Sequence, residues 1–219
     1  MRAQIVLFDG FDPLDVIAPY EVLMAGGVLS GGQVAVELVS AEGAREVPSG
    51  LGTFSLRATD PLQPSTVDIV VVPGAAGLLP GQEPADATIP AILGRAIDTP
   101  LAALLKEAVD RAELTVATVC GGSMLLALAG LIDGRAATTH HAGLDLLGAT
   151  GVRVVRARVV DDGDLVTGAG VTSGLDLALY LLERELGPRL AIAVEQLIAH
   201  ERRGTVWRDA GATTSVEAA

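Results

Sequence analysis

The sequence predicts an α/β fold, with a mostly parallel sheet, helices on both of its faces and small antiparallel hairpins. Short runs rich in Val and Ile alternate along the chain with longer segments in which Ala and Leu recur at helical spacing. The Val- and Ile-rich runs are almost continuously apolar, which is typical of strands covered on both faces. Repeats of strand, helix and strand joined by tight turns favour parallel strands with right-handed crossovers.

The individual elements follow from local signals in chain order. Strands are predicted at 5–8, 34–39, 67–72 and 114–119, and hairpins at 46–56 and 154–167. Helices are predicted to begin near 18, at 99–100 and near 122, and to cover 172–187 and 189–202. The Pro-rich stretch 79–98 reads as a surface excursion. The 219 residues suit one domain, expected at 1–204, with a flexible C-terminal tail at 205–219.

Composition excludes several classes of function. Fifteen Lys and Arg against 27 Asp and Glu give a net charge of −12, and only 3% of residues are aromatic, which argues against nucleic-acid binding. The apolar runs are much shorter than the roughly 20 residues that span a bilayer, and the N-terminus lacks a secretory pattern, so we expect a cytoplasmic protein without membrane contact. One cysteine and three histidines, two of them adjacent, predict neither a disulfide nor a metal site, and no organic cofactor is expected.

Cys120 is the leading candidate for a reactive residue. It follows a buried strand, precedes Gly121 and Gly122, and leads into a helix, which is the layout of a nucleophile elbow. A thiol at a helix N-terminus is predicted to have a lowered pKa. The alternative is a buried structural cysteine, the common fate of a lone Cys in a core. The two glycines favour the elbow, because they have no packing role at an ordinary helix start.

Two loops at other strand ends supply further candidates. Gly74 and Ala75 follow the strand at 67–72, and their backbone N–H groups are predicted to face Cys120, although an ordinary turn between strand and helix has the same appearance. Asp15 lies among apolar residues after the first strand, a setting that raises the pKa of a carboxyl and suits it to hold or donate a proton. Asp9 and Asp12, in the same loop, are assigned to capping or solvation.

Five segments in order along the chain resemble the ThiJ/PfpI superfamily, and in particular its isocyanide hydratase branch. They are 12–23 (DPLDVIAPYEVL), 70–75 (VVVPGA), 118–123 (TVCGGS), 129–140 (AGLIDGRAATTH) and 167–176 (TGAGVTSGLD). The same pattern resembles the N-terminal domains of some AraC-type regulators. Fewer than 20 residues follow Arg203, so we expect no DNA-binding part here.

The resemblance implies a flavodoxin-like three-layer sandwich, a homodimer, a reactive Cys120 and an acidic partner at Asp15. Oxyanion or substrate contacts would fall on the backbone of Gly121 and of Gly74 and Ala75. The branch usually has Thr after the cysteine, so Gly121 removes a hydroxyl that would contact substrate or water. His140 ends a predicted strand and either borders the site or is structural, and His141 is expected on the surface.

These observations predict a cysteine-dependent enzyme acting on a small electrophile. The specific hypothesis is a lyase that hydrates an isocyanide to an N-substituted formamide through a Cys120 thioimidate, with Asp15 as acid and base. Glyoxalase-like chemistry on a 2-oxoaldehyde and a non-enzymatic sensor of oxidative stress or of a ligand remain alternatives. A Cys, His, Glu arrangement with His200 is disfavoured, because such enzymes separate His and Glu by one residue and Glu201 is adjacent.

Overall fold

The structure, a computed structural model, describes residues 1–79 and 81–210. In these ranges the strands are β1 (Arg2–Leu7), β2 (Ala35–Ser40), β3 (Arg45–Pro48), β4 (Ser55–Ala58), β5 (Asp60–Pro61), β6 (Ile69–Val72), β7 (Thr115–Val119), β8 (Ala136–Ala137), β9 (Arg153–Val154), β10 (Val159–Asp161), β11 (Leu165–Gly168) and β12 (Trp207–Arg208). The α-helices are α1 (Pro13–Leu29), α2 (Ile89–Ile97), α3 (Leu101–Val109), α4 (Gly122–Leu128), α5 (Leu144–Ala149), α6 (Ser173–Leu186) and α7 (Pro188–Ile198).

A central sheet organises these elements in the order β12-β10-β11-β7-β6-β1-β2-β5. All neighbours are parallel except β10 and β11, which form the antiparallel hairpin predicted around 161–164. Helices α1, α6 and α7 pack together on one face, and α2 contacts α3 and α4 on the other. The predicted flavodoxin-like sandwich is therefore confirmed. The carboxyl ends of β1, β6 and β7 meet at one edge, where ligands bind in such sheets.

The central strands are buried on both faces, as their continuous apolar runs predict. Every residue of β6 is buried, and so are all residues of β7 after its first. The first hairpin also forms, with β3 antiparallel to β4. Its turn spans 49–54 and is wider than the Pro-Ser-Gly turn that the sequence suggests.

The start of α1 differs from the prediction. The helix begins at Pro13 rather than near Ala18, and Pro19 lies inside it. Both prolines could occupy a first helical turn, but Asp12 decides the matter because its side chain accepts a hydrogen bond from the Leu14 N–H at 3.0 Å. Asp15 is thereby placed in the first helical turn and not in the preceding loop.

Other boundaries also move. The stretch 79–98 contains α2, whose Ile92, Leu93 and Ala96 are buried in the core, so it is more than a surface excursion. The last helix ends at Ile198, where Ala199 adopts a left-handed conformation. Within the predicted tail, Trp207 and Arg208 pair with β10 as an edge strand. Residues 211–219 of that tail lie outside the described residues.

The described helices are too short or too polar to cross a membrane.

Candidate active site

Cys120 occupies a strained turn between β7 and α4. Its φ is +53°, in the left-handed region that non-glycine residues rarely adopt. The turn is held from both sides: the Cys120 N–H donates to the Gly168 carbonyl at 3.0 Å, and the Cys120 carbonyl accepts from Thr139 Oγ1 at 2.7 Å. Ser123 adds a further bond to the same carbonyl at 3.3 Å. The predicted layout of strand, sharp turn and helix around Cys120 is present, and the turn is fixed by its neighbours.

Gly122 shows why a glycine is needed after the elbow. A Cβ at this position would lie 2.1 Å from the Val72 carbonyl oxygen at the end of β6. That oxygen belongs to the backbone of a buried strand and cannot move aside freely. The close approach therefore fixes α4 against the end of β6.

This contact predicts a large loss of stability in Gly122→Ala. We expect a destabilisation of about 1–3 kcal/mol or more, because overpacking forces backbone shifts. Gly94→Ala is the matched control: Gly94 lies inside α2, and a Cβ there meets no described atom within 4 Å. The control should gain about 0.5–1 kcal/mol. Urea unfolding midpoints measure both changes, and equal midpoints for the two variants would contradict the close approach.

Asp15, in the first turn of α1, is fully buried, with 0% exposure. Its Oδ2 accepts a hydrogen bond from the Gly74 N–H at 2.9 Å, while its Oδ1 is buried without a hydrogen-bond partner among the described residues. The carboxyl and the Cys120 thiol are near enough to perturb each other's ionisation. The structure thus brings the two predicted catalytic side chains together.

Burial raises the pKa of Asp15 well above its ordinary value, and the negative charge of Asp12 adds to the rise. Burial also raises the pKa of the Cys120 thiol, with the Asp15 carboxyl as the second cause. The prediction of a lowered thiol pKa was therefore wrong. The Gly121 N–H does favour the thiolate, but desolvation and the neighbouring carboxyl outweigh it. The pair cannot hold two negative charges at neutral pH and keeps at least one proton.

The raised pKa of Asp15 makes stability depend on pH. A carboxyl with a higher pKa in the native state binds its proton more tightly in the folded than in the unfolded chain. Its contribution to the free energy of unfolding is therefore complete below the pKa of the unfolded chain, ordinarily 3.8. This contribution is lost as pH rises through the native pKa. Asp15→Asn lacks this dependence. The free energy of unfolding of wild type should therefore fall relative to Asp15→Asn from pH 4 upward. Denaturation at a series of pH values tests this; parallel curves would show that the native carboxyl titrates normally.

Gly74, Ala75 and Gly121 bring two loops into backbone contact beside the thiol. A Cβ on Gly74 would lie 2.5 Å from the Gly121 nitrogen and 2.9 Å from Asp15 Oδ2, so this position also requires glycine. The loop after β1 forms hydrogen bonds with the Gly74 carbonyl and with the Ala76 N–H. The N–H of Ala75, which lies between these two residues, is therefore turned away from that loop. This N–H donates to no acceptor among the described residues. The Ala75 N–H is thus available to a negative oxygen or nitrogen, while the Gly121 N–H acts on the Cys120 sulfur.

Above the thiol lies a cavity of about 350 Å³ with mostly apolar walls. Its lining includes Cys120 and Gly121, and exposed leucines from three separate segments stand around it, at Leu51, Leu79 and Leu146. Asp12, assigned from sequence only to capping or solvation, caps α1 and also lines this cavity. The sequence analysis did not predict that Asp12 lines the cavity, although its position in the loop after β1 was a signal for this. The leucines carry no comparable local signal.

His140 borders the cavity, which is one of the two alternatives that the sequence analysis gave for this residue. It does not end a strand, because β8 stops at Ala137; instead its Nδ1 accepts a hydrogen bond from the Ala142 N–H at 3.3 Å and caps a short 3₁₀ turn. Burial lowers the pKa of His140, and the adjacent His141 lowers it further. The ring is therefore neutral at pH 7, with its proton on Nε2. His141 is exposed, as expected.

His200 has no part in this site. Its Nε2 lies 3.2 Å from Oδ1 of the buried Asp176, and it lines a different pocket from Cys120. This agrees with the interpretation that a Cys, His, Glu arrangement is absent here.

The sequence profile of the DJ-1/PfpI family matches residues 1–184. The chain belongs to the DJ-1/PfpI family. The resemblance drawn from the five segments is thereby confirmed. An isonitrile hydratase of Pseudomonas putida is 36% identical over 191 residues, which are 87% of this chain and 74% of the relative. The HTH-type transcriptional regulator CdhR of Pseudomonas aeruginosa is 29% identical over 194 residues, and the chain spans 52% of its length.

Solved structures of DJ-1/PfpI proteins share the fold. A ThiJ/PfpI family protein from Pseudomonas syringae superposes with a TM-score of 0.72 at 24% identity, covering 93% of this chain and 76% of that one. DJ-1beta of Drosophila melanogaster gives a TM-score of 0.74 at 18% identity, with 91% and 98% covered. At these identities the comparison concerns architecture alone.

Proposed function

We propose that the protein hydrates isocyanides to N-substituted formamides, using Cys120 as nucleophile. The observation that carries the proposal is the buried pair of Cys120 and Asp15, of which Cys120 lies in the wall of an apolar cavity. The relative from Pseudomonas putida is named for the hydration of isonitriles, which are isocyanides, and supports the choice of substrate.

The first half of the reaction uses the proton that the pair retains. As the sulfur bonds to the terminal carbon of the isocyanide, the thiol proton passes to Asp15 Oδ1 and from there to the same carbon. The product is a thioimidate, R–N=CH–S–Cys120, and the carboxyl returns to its starting state. A resting thiolate is unnecessary, because the carboxyl removes the proton as the bond forms.

The cavity suits an uncharged molecule. Its apolar walls favour burial of an alkyl or aryl group, and the Ala75 N–H can stabilise negative charge that develops beside the sulfur. Gly121 supplies only its backbone, so the hydroxyl expected from the branch has to be replaced by other polar groups of the cavity.

Ligand sensing without turnover is the second candidate. It is favoured by the similarity to a transcriptional regulator over 87% of this chain. Regulation by oxidation of Cys120 is less well supported, since peroxide attacks the thiolate and the raised thiol pKa makes that form scarce.

The test is to incubate the purified protein with cyclohexyl and phenyl isocyanide and to follow the formamide by mass spectrometry. Catalytic formation, with many equivalents per protein, supports hydration. Saturable binding of an isocyanide without formamide would instead support the sensing candidate and overturn the proposed reaction.

A further inference from the structure

Release of the product needs a base that touches the cavity, and Asp15 does not line it. Asp15 is fully buried, and the residues that line the cavity include Cys120 but not Asp15. It can exchange a proton with the sulfur and with a carbon bonded to the sulfur. Water that attacks the thioimidate comes from the cavity itself. Among the described lining residues, the titratable side chains are Asp12, Cys120 and His140.

We propose that Asp12 is the general base that activates this water, so that the two halves of the reaction use two different carboxylates. The proposal rests on the proposed hydration and adds a catalytic residue to it. It also replaces the assumption that Asp15 serves both halves.

Several contacts hold Asp12 in place at the cavity wall. Its backbone N–H donates to the Gly74 carbonyl at 2.9 Å, and its Oδ1 accepts from the Leu14 N–H at 3.0 Å. No donor from the described residues occupies Oδ2, which leaves one carboxylate oxygen for water. Asp12, Cys120 and His140 line the same cavity, and the charge of Asp12 raises the pKa of both the Cys120 thiol and His140.

His140 cannot take the same role in the tautomer that its hydrogen bond implies. Its Nδ1 is occupied by the Ala142 N–H, and the proton sits on Nε2, so the ring has a donor but no free acceptor nitrogen. A neutral ring of this kind can hydrogen-bond to the water oxygen or to the substrate nitrogen. The base must then be the carboxylate.

The second half of the reaction has two steps. The water oxygen bonds to the thioimidate carbon while Asp12 takes one water proton and passes it to the imine nitrogen, giving R–NH–CH(OH)–S–Cys120. The C–S bond then breaks with its electron pair on sulfur, the C=O bond forms, and Asp12 transfers the hydroxyl proton to the sulfur. The formamide leaves and the thiol is restored, with one water consumed.

The test is Asp12→Asn, which retains an oxygen able to cap α1. We expect steady-state formamide formation to fall about 10²-fold, the usual size of a general-base effect. Adduct formation should continue, because removal of the Asp12 charge makes the thiol easier to ionise. Intact-mass spectra taken during turnover should show the variant carrying one isocyanide mass on Cys120. Asp12→Ser, which also caps a helix, should behave alike.

Asp9→Asn is the matched control, since Asp9 lies in the same loop, is exposed and pairs with Arg45 at 2.7 Å. It should turn over like wild type. An Asp12→Asn protein that also turns over normally, or that loses adduct and formamide together, overturns the role of Asp12 and leaves the proposed hydration standing. A wild-type protein that makes no formamide overturns both.

Discussion

Cys120→Ser should lose isocyanide hydration by a factor of at least about 10³, because the hydroxyl that replaces the thiol is a far weaker nucleophile. Serine preserves the size of the side chain in the strained turn, and the bonds from Thr139 and to Gly168 involve only the backbone of residue 120. The variant should therefore unfold at nearly the same urea concentration as wild type. Formamide production per protein under identical conditions measures the effect.

The single cysteine provides an internal control. Cys120 is the only cysteine of the chain, so iodoacetamide should attach one equivalent to the cysteine of wild type. The serine variant has no cysteine to label. Loss of wild-type activity should follow the extent of labelling in direct proportion. Hydration that persists in fully labelled protein, or in the serine variant, would remove the covalent mechanism.

Asp15→Asn should change catalysis and thiol reactivity in opposite directions. Hydration is expected to fall by about 10²- to 10⁴-fold, because no group then carries the proton from sulfur to carbon. The neighbouring carboxyl raises the pKa of the Cys120 thiol, so its removal should lower that pKa and increase the rate of alkylation by iodoacetamide at neutral pH. Asparagine can still accept the hydrogen bond from the Gly74 N–H.

The opposite signs separate a chemical role from a structural one. In a variant with a disturbed fold, hydration would be lost and Cys120 would no longer be alkylated at a single rate. The proposed role instead predicts slower hydration together with faster alkylation of the thiol. Asp9→Asn again serves as control, with both rates unchanged. Equal hydration by wild type and Asp15→Asn would exclude Asp15 from the reaction.

The elbow could be predicted because its signals are local. A buried strand, a cysteine and two glycines stand next to one another in the sequence, and the close approach of Gly122 to Val72 gives the second glycine its reason. The start of α1 was ambiguous, since Pro13 and Pro19 each suit a first turn and only the Asp12 cap distinguishes them.

The ionisation of Cys120 could not be predicted from its neighbours in the chain. A helix N-terminus favours a thiolate, but Asp15 lies 105 positions earlier and acts through space. The cavity walls pose the same problem: Leu51, Leu79 and Leu146 meet only after the sheet has formed. Likewise, α2 was hidden by the prolines around it, and its buried face follows from tertiary packing.

The left-handed conformation of Cys120 has an evolutionary consequence. A non-glycine residue held at such a φ costs about 1–3 kcal/mol, a strain that glycine at this position would not carry. Drift toward lower strain alone would therefore erode the thiol first. Descendants that keep a side chain here despite that strain are the ones in which selection still acts on the sulfur, whereas a glycine at this turn marks a lineage that has given up its chemistry.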